Sequence, residues 1–140
     1  MASPTSKPAE TILVVDDHPD VLSLVVDILE MARYTVLSTA DPRHALALVR
    51  THAESINLLL TDVEMPFMNG LQLAAEVQAL RPEVKILLMS AHRTKEIDDY
   101  RMRLGLRGLF LDKPFTAVGL TGTVRLLLDD RAPMPWRRVQ

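Results

Sequence analysis

Polar side chains suited to phosphate chemistry follow four short apolar runs of this sequence. Asp16 and Asp17 follow the first run, Asp62 follows the second, Ser90 follows the third, and Lys113 comes just after the fourth. Carboxylates can hold a hard divalent cation through their oxygen atoms. A hydroxyl can donate a hydrogen bond to a phosphoryl oxygen, and an ammonium group can neutralise that oxygen's charge. These residue types predict a site that receives a phosphoryl group, provided that the fold brings the ends of the four runs together.

The order of the predicted elements indicates how the fold would do so. Short apolar runs alternate with longer segments in which apolar residues recur every three or four positions. A predicted helix follows each predicted strand, and the strands comprise residues 12–15, 35–39, 57–61, 85–89 and 109–111. This alternation is typical of an α/β fold with a parallel sheet. In such a sheet the functional crevice lies outside the carboxyl ends of the strands, where the polar residues are expected.

The fourth predicted helix differs from the others in its apolar content. Residues 94–104 carry many charges and only a thin apolar stripe, formed by Ile97, Tyr100 or Arg101, and Leu104. We therefore predict that this helix is more exposed than its neighbours. The last predicted helix, residues 116–130, has a fuller stripe of leucine and valine.

Composition excludes several classes of protein. The 140 residues suffice for one domain, which we place at residues 11–130, between a flexible N-terminus at 1–10 and a flexible tail at 131–140. A net charge of −2 argues against direct binding to nucleic acid or to a membrane surface. The absence of cysteine excludes disulfides and thiolate chemistry. Because neither a signal peptide nor an apolar run of ~20 residues is present, we expect a cytoplasmic protein without a membrane partner.

The ordered set Asp16-Asp17, Asp62, Ser90-Ala91 and Lys113-Pro114 resembles the receiver domain of two-component response regulators. The resemblance covers about residues 10–130, and the segments TDVEMPFMNG and KPF carry its most specific motifs. It implies a doubly wound, flavodoxin-like sheet of five parallel strands in the order 2-1-3-4-5 with five helices. It also implies Mg²⁺-dependent phosphorylation of an aspartate by a sensor histidine kinase or a phosphotransfer protein. Such a domain is a signalling protein rather than an enzyme, although it assists its own phosphotransfer and dephosphorylation.

The acids take distinct roles in this interpretation. Asp62, at the tip of the central strand, is the expected phosphoacceptor, and catalysis would come from positioning and charge neutralisation. Asp17 would bind Mg²⁺ directly, and Asp16 would act through water or from behind the direct ligands. Asp62 and the backbone carbonyl of Glu64 would complete the metal site. Because crowded carboxylates repel one another, a cation or a raised pKa must relieve them.

Lys113 and Ser90 are expected to act on the phosphoryl group itself. Lys113 would neutralise Asp62 at rest and pair with phosphoryl oxygens afterwards. Ser90 would donate its hydroxyl to a phosphoryl oxygen and draw the loop after the fourth strand inward. The resemblance further implies a cis peptide bond before Pro114.

Three other residues leave two interpretations open. Phe110 lies where the family carries an aromatic switch residue, so it is either a switch that acts by packing or a plain core residue. Glu64 and His92 lie two residues beyond Asp62 and Ser90, so they either tune the lifetime of the phosphoryl group or are merely exposed loop residues. The remaining histidines offer less, since no pair has the spacing of a zinc site. Of these, His18 is a candidate cap of the first helix.

The expected output is a protein-binding face formed by residues 94–104, the fifth strand and residues 116–130, because no effector domain follows in this sequence. Two functional alternatives remain: a phosphate-carrying relay intermediate or sink, and a receiver fragment of a hybrid histidine kinase. Two other classes fit less well. A flavodoxin needs a Ser/Thr/Gly-rich phosphate loop where this chain has the acidic DDHPD, and aspartyl phosphatases place two spaced acids on the first strand, whereas Asp16 and Asp17 are adjacent.

Overall fold

Five parallel strands form a single sheet with helices on both faces. The computed structural model describes residues 9–52 and 56–129. The strands are β1 (Thr11–Val15), β2 (Thr35–Thr39), β3 (Ile56–Asp62), β4 (Lys85–Ser90) and β5 (Leu109–Asp112). The helices are α1 (Pro19–Met31), α2 (Pro42–Thr51), α3 (Gly70–Leu80), α4 (Lys95–Arg103) and α5 (Ala117–Asp129). The strand order is β2-β1-β3-β4-β5, which confirms the predicted doubly wound α/β fold.

The apolar strands are buried because helices cover both sides of the sheet. Successive side chains of a strand point to opposite faces, so each strand contributes to two core clusters. Leu13, Leu59 and Leu88 pack with α2 and α3 on one face. On the other face, the cluster with α1 and α5 contains Ile12, Val14, Leu58, Leu60 and Leu87.

Helix starts follow local capping chemistry rather than the apolar stripe alone. The third helix begins at Gly70, ahead of its first predicted stripe residue, because Asn69 and Gln72 form a capping box. The fourth helix is bounded by Thr94, whose hydroxyl accepts from the Ile97 backbone N–H. It therefore occupies the interior of the predicted 94–104 segment.

Three strands extend one residue beyond their predicted carboxyl ends. The last residues of β3, β4 and β5 are Asp62, Ser90 and Asp112, which still pair with the neighbouring strand. The apolar pattern alone predicts strand ends one residue too early, because these residues are polar. As a consequence, Asp62 and Ser90 are held by the sheet rather than by a loop.

The segment before β1 joins the folded unit at its last residue. The Glu10 carbonyl accepts from the Thr35 backbone N–H, and the Glu10 carboxylate pairs with Arg125 of α5 at 2.9 and 3.1 Å. Residues 1–8 of the predicted flexible N-terminus and the predicted tail 131–140 lie outside the described residues. Among the helices that the structure describes, none is long and apolar enough to cross a membrane.

Candidate functional site

Three carboxylates converge at the carboxyl edge of the sheet. Strands β1 and β3 are neighbours with Val15 opposite Thr61, so the residues after Val15 lie beside Asp62. Asp16 is fully buried and Asp62 is 4% exposed. Together with His18, the three acids Asp16, Asp17 and Asp62 each offer a ligand atom within 4.8 Å of the others. The sheet topology therefore brings together the acids that the sequence singled out.

Lys113 bridges two of these carboxylates. Its Nζ donates to Asp62 Oδ1 at 3.1 Å and to Asp16 Oδ2 at 3.2 Å. The backbone holds the side chain in place, because the Lys113 N–H donates to the Ser90 carbonyl at 2.9 Å. The peptide bond between Lys113 and Pro114 is cis, in agreement with the geometry that the resemblance implies.

Burial and the neighbouring charges shift the pKa values of both Asp62 and Lys113. Burial raises the pKa of Asp62 above its usual value, and the neighbouring charges of Asp16 and Asp17 add to this, while Lys113 partly offsets it. Burial alone would lower the pKa of Lys113, but attraction to Asp62 and Asp16 outweighs it and raises that pKa. One ammonium group thus faces more negative charge than it can neutralise, which favours a further cation at the site.

Ser90 supplies a hydroxyl that its own surroundings leave available. It is the last residue of β4 and is 1% exposed. Within the part of the chain that the structure describes, its Oγ has no hydrogen-bond partner. A buried hydroxyl without a partner costs free energy, so an incoming oxyanion at this edge would relieve that cost.

Gly70 fixes the backbone at Asp62. Its N–H donates to the Val63 carbonyl at 2.7 Å, and a Cβ at this position would overlap the Asp62 carbonyl oxygen. Glycine is therefore required where α3 approaches the end of β3. The tight contact ties the position of Asp62 to the start of the helix.

The three residues with two interpretations lie in two places, a groove beside the β3–α3 loop and the buried core at β5. Glu64 and His92 are exposed and line a groove of about 700 Å³ between the β3–α3 loop and α4. Phe110 is buried in β5, and the Arg93 guanidinium stacks 4.1 Å from its ring centroid. Arg93 Nε donates to Asp98 of α4 at 3.0 Å, so Phe110 is linked to α4 through one arginine.

His18 is the site residue that sequence reasoning did not place. It occupies the N-cap position of α1, but its side chain makes no capping hydrogen bond. The ring Nδ1 lies 3.2 Å from Asp16 Oδ1, 3.4 Å from Asp17 Oδ1 and 4.0 Å from Asp62 Oδ2. Its position directly after the acid pair is the feature of the sequence that indicates this placement.

The fold and this site together define a class of signalling domain, and comparisons with known proteins name the family. The family model of the response regulator receiver domain matches residues 12–125. The chain therefore belongs to the receiver domain family of two-component systems, whose members are phosphoacceptor domains rather than classical enzymes. Receiver domains generally bind Mg²⁺ at an acidic cluster, and they interact with histidine kinases or phosphotransfer proteins.

Individual relatives agree with this assignment. The chain is 34% identical over 118 residues to the transcriptional regulatory protein CpxR of Klebsiella pneumoniae, covering 84% of this chain and 48% of CpxR. It is 33% identical over 128 residues to the DNA-binding transcriptional regulator NtrC of Azospirillum brasilense, covering 89% of this chain and 25% of NtrC. The chain thus spans half or less of the length of these regulators.

Solved structures match nearly end to end. A CheY-like receiver domain protein from Methanospirillum hungatei has a TM-score of 0.80 and 28% identity, covering 87% of this chain and 95% of that one. The chemotaxis protein CheY4 of Vibrio cholerae has a TM-score of 0.79 and 27% identity, with coverage of 86% and 99%.

Proposed function

We propose that this chain is a cytoplasmic phosphoacceptor receiver that takes a phosphoryl group onto Asp62 from a histidine kinase or a phosphotransfer protein. The observation that carries the proposal is the bridge from Lys113 Nζ to Asp62 and Asp16 inside the acid cluster. No other described aspartate has a carboxylate on a strand end, a lysine at hydrogen-bond distance and two acids beside it. Asp62 is therefore the group best placed to become an acyl phosphate.

The transfer would proceed by direct displacement. A carboxylate oxygen of Asp62 attacks the phosphorus of a phosphohistidine, a P–O bond forms and the P–N bond breaks. The histidine nitrogen retains the electron pair of the broken bond. Lys113 already holds the acceptor carboxylate, so it lies within reach of the phosphoryl oxygens once they are attached. The free hydroxyl of Ser90 would donate to another of these oxygens.

The carboxylate oxygens of the cluster are suitable ligands for Mg²⁺. The oxygens of Asp16, Asp17 and Asp62 are the hard ligands that this ion prefers, and the buried Asp17 Oδ1 has no hydrogen-bond partner within the described residues. When bound, Mg²⁺ would supply neutralisation of charge on the phosphoryl oxygens. Asp17 would bind it directly, Asp16 through water, and Glu64 through its backbone carbonyl.

The lifetime of the phosphoryl group would be set at the rim of the site. Glu64 and His92 line one groove beside the acceptor, where their side chains can restrict or guide an attacking water. We propose that both residues tune hydrolysis, which is the sense in which the domain assists its own dephosphorylation.

The signal would leave through the face formed by residues 94–104, β5 and residues 116–130. Recruitment of Ser90 would move the end of β4, and the Arg93 contact with Phe110 and Asp98 would pass that movement to α4. A protein target on this face would then sense phosphorylation. A relay intermediate or sink would use the same acceptor without moving α4.

Labelling with a small phosphodonor tests the acceptor. Incubation with acetyl phosphate and Mg²⁺ should add one phosphoryl group, detected by intact-protein mass spectrometry, and Asp62→Asn should abolish the addition. Asp27→Asn, an exposed aspartate of α1, is the matched control and should label like the native chain. Equal labelling of Asp62→Asn and the native chain would overturn the assignment.

A further inference from the structure

The histidine beside the acid cluster gives this site a nitrogen atom that could bind a metal ion, which a magnesium site does not need. His18 Nδ1 lies 3.4 Å from Asp17 Oδ1 and 4.0 Å from Asp62 Oδ2. Ligands around an octahedral ion at ~2.1 Å stand roughly 3.0 Å apart when adjacent and roughly 4.2 Å apart when opposite. The 3.4 Å separation is close to the adjacent value and the 4.0 Å separation is close to the opposite value. Small side-chain rotations would therefore let the ring nitrogen and the two carboxylates share one ion.

The two oxygens of Asp16 and the two oxygens of Asp62 face different partners, with one oxygen of each toward Lys113 and the other toward His18. Asp16 Oδ2 and Asp62 Oδ1 accept from Lys113, whereas Asp16 Oδ1 and Asp62 Oδ2 face His18. Asp17 Oδ1 lies on the same side of the cluster as His18. This oxygen is buried and lacks a hydrogen-bond partner among the described residues. A cation at this point would therefore contact His18 without displacing Lys113.

Local backbone interactions place His18 beside the cluster. The His18 N–H donates to Asp16 Oδ1 at 2.9 Å, and Pro19 follows as the first residue of α1. A residue before proline is restricted to extended conformations, and His18 has φ −91° and ψ 111°. The position of the ring is thus set locally, although its side chain is 63% exposed.

We propose that His18 is a nitrogen ligand of the cation at this site, so that the site binds divalent transition metals such as Mn²⁺ and Ni²⁺ more tightly than carboxylates alone would allow. Imidazole suits transition metals, whereas Mg²⁺ is bound by oxygen atoms and retained waters. The inference rests on the proposed function, since it concerns the cation of the same acceptor site.

Calorimetric titration of the full chain with Mg²⁺, Mn²⁺ and Ni²⁺ separately tests the selectivity. His18→Ala should weaken Ni²⁺ binding by at least about tenfold and Mn²⁺ binding by less, and should leave Mg²⁺ affinity within about twofold. His52→Ala, which removes an exposed histidine at the end of α2 and outside the cluster, should change none of the three. An equal change for all three metals in His18→Ala, or no change for any, would overturn the proposal.

Pulsed electron paramagnetic resonance of the Mn²⁺-loaded protein tests ligation directly. The native chain and His52→Ala should show a nitrogen coupling to Mn²⁺, and His18→Ala should lack it. A coupling that is absent from the native chain, or that persists in His18→Ala, would contradict the assignment. Neither the titrations nor the nitrogen coupling requires phosphorylation. A failure of labelling in the native chain would therefore count against the proposed function and leave the metal results readable.

Discussion

Helices α3 and α4 each follow a strand that ends in a site residue, yet they are anchored very differently. The former begins in a capping box, and five of its residues, Gly70 among them, are buried. The latter has no buried residue, although the structure describes every residue in it. Its attachment depends on half-buried apolar residues and on the ion pair between Asp98 and Arg93, which lies outside the helix.

This difference separates a firmly anchored part of the molecule, which holds Asp62, from a loosely anchored part. A fully buried leucine or valine contributes ~1.5–3 kcal/mol, so displacing α3 would cost many such contacts. Displacing α4 would cost few, because its apolar side chains are only partly covered. Segments with few buried contacts are the ones that move at low free energy. The molecule thus keeps Asp62 fixed while leaving the helix after Ser90 free to shift.

The largest expected effect comes from truncating matched apolar residues of the two helices. Leu73→Ala removes a fully buried side chain of α3 and should lower the free energy of unfolding by ~2–5 kcal/mol. Ile97→Ala removes a half-buried side chain of α4 and should cost roughly 1 kcal/mol. Urea denaturation measures both values. Equal losses would remove the contrast between the helices.

A smaller loss is expected from a methyl group at the junction of β3 and α3. Gly70→Ala should destabilise the fold by ~1–3 kcal/mol, because the new Cβ overlaps the Asp62 carbonyl oxygen. It should also reduce labelling by acetyl phosphate, since the backbone that positions Asp62 must shift.

The matched control is a glycine in open surroundings. Gly122 lies in α5 with nothing within 4 Å of an added Cβ, so Gly122→Ala should instead stabilise the helix by up to ~1 kcal/mol. A destabilised Gly122→Ala, or a Gly70→Ala as stable as the native chain, would show that the junction is not the constraint described here.

The smallest stability effect concerns charge at the acceptor. Because burial raises the pKa of Asp62 in the folded chain, its contribution to stability is complete below the unfolded pKa and is lost as the pH rises through the folded pKa. Asp62→Asn should therefore raise the Tm at pH 7 by a few degrees. This gain in Tm should shrink as the pH falls into the range where Asp62 is protonated. Thermal unfolding in metal-free buffer measures this, and a lower Tm for Asp62→Asn at pH 7 would contradict it.

Much of the fold and most of the site could be predicted from the sequence because both depend on local pattern. Apolar runs and helical periodicity located every element, and the polar ends of the runs located Asp62, Ser90 and Lys113. The place of His18 over the acids and that of Arg93 over Phe110 could not be predicted in this way. Both depend on side-chain directions, which are fixed by tertiary packing. The spacing of residues in the sequence does not determine these directions.

The contrast between the helices leads to one central claim, that a phosphoryl group on Asp62 is sensed through Ser90 and Phe110 by α4 and hardly at all by α3. A ligand shifts a conformational equilibrium only through its different contacts in the two states, and we propose that Ser90 supplies that difference here. Backbone amide chemical shifts with and without beryllofluoride and Mg²⁺ test the claim most directly, with Asp62→Asn as the control. We predict large changes at residues 90–104 and 109–112 and small ones within α3. Chemical-shift changes that are confined to the residues around Asp17 and Asp62, with no change at residues 94–110, would contradict the claim and favour a phosphate sink.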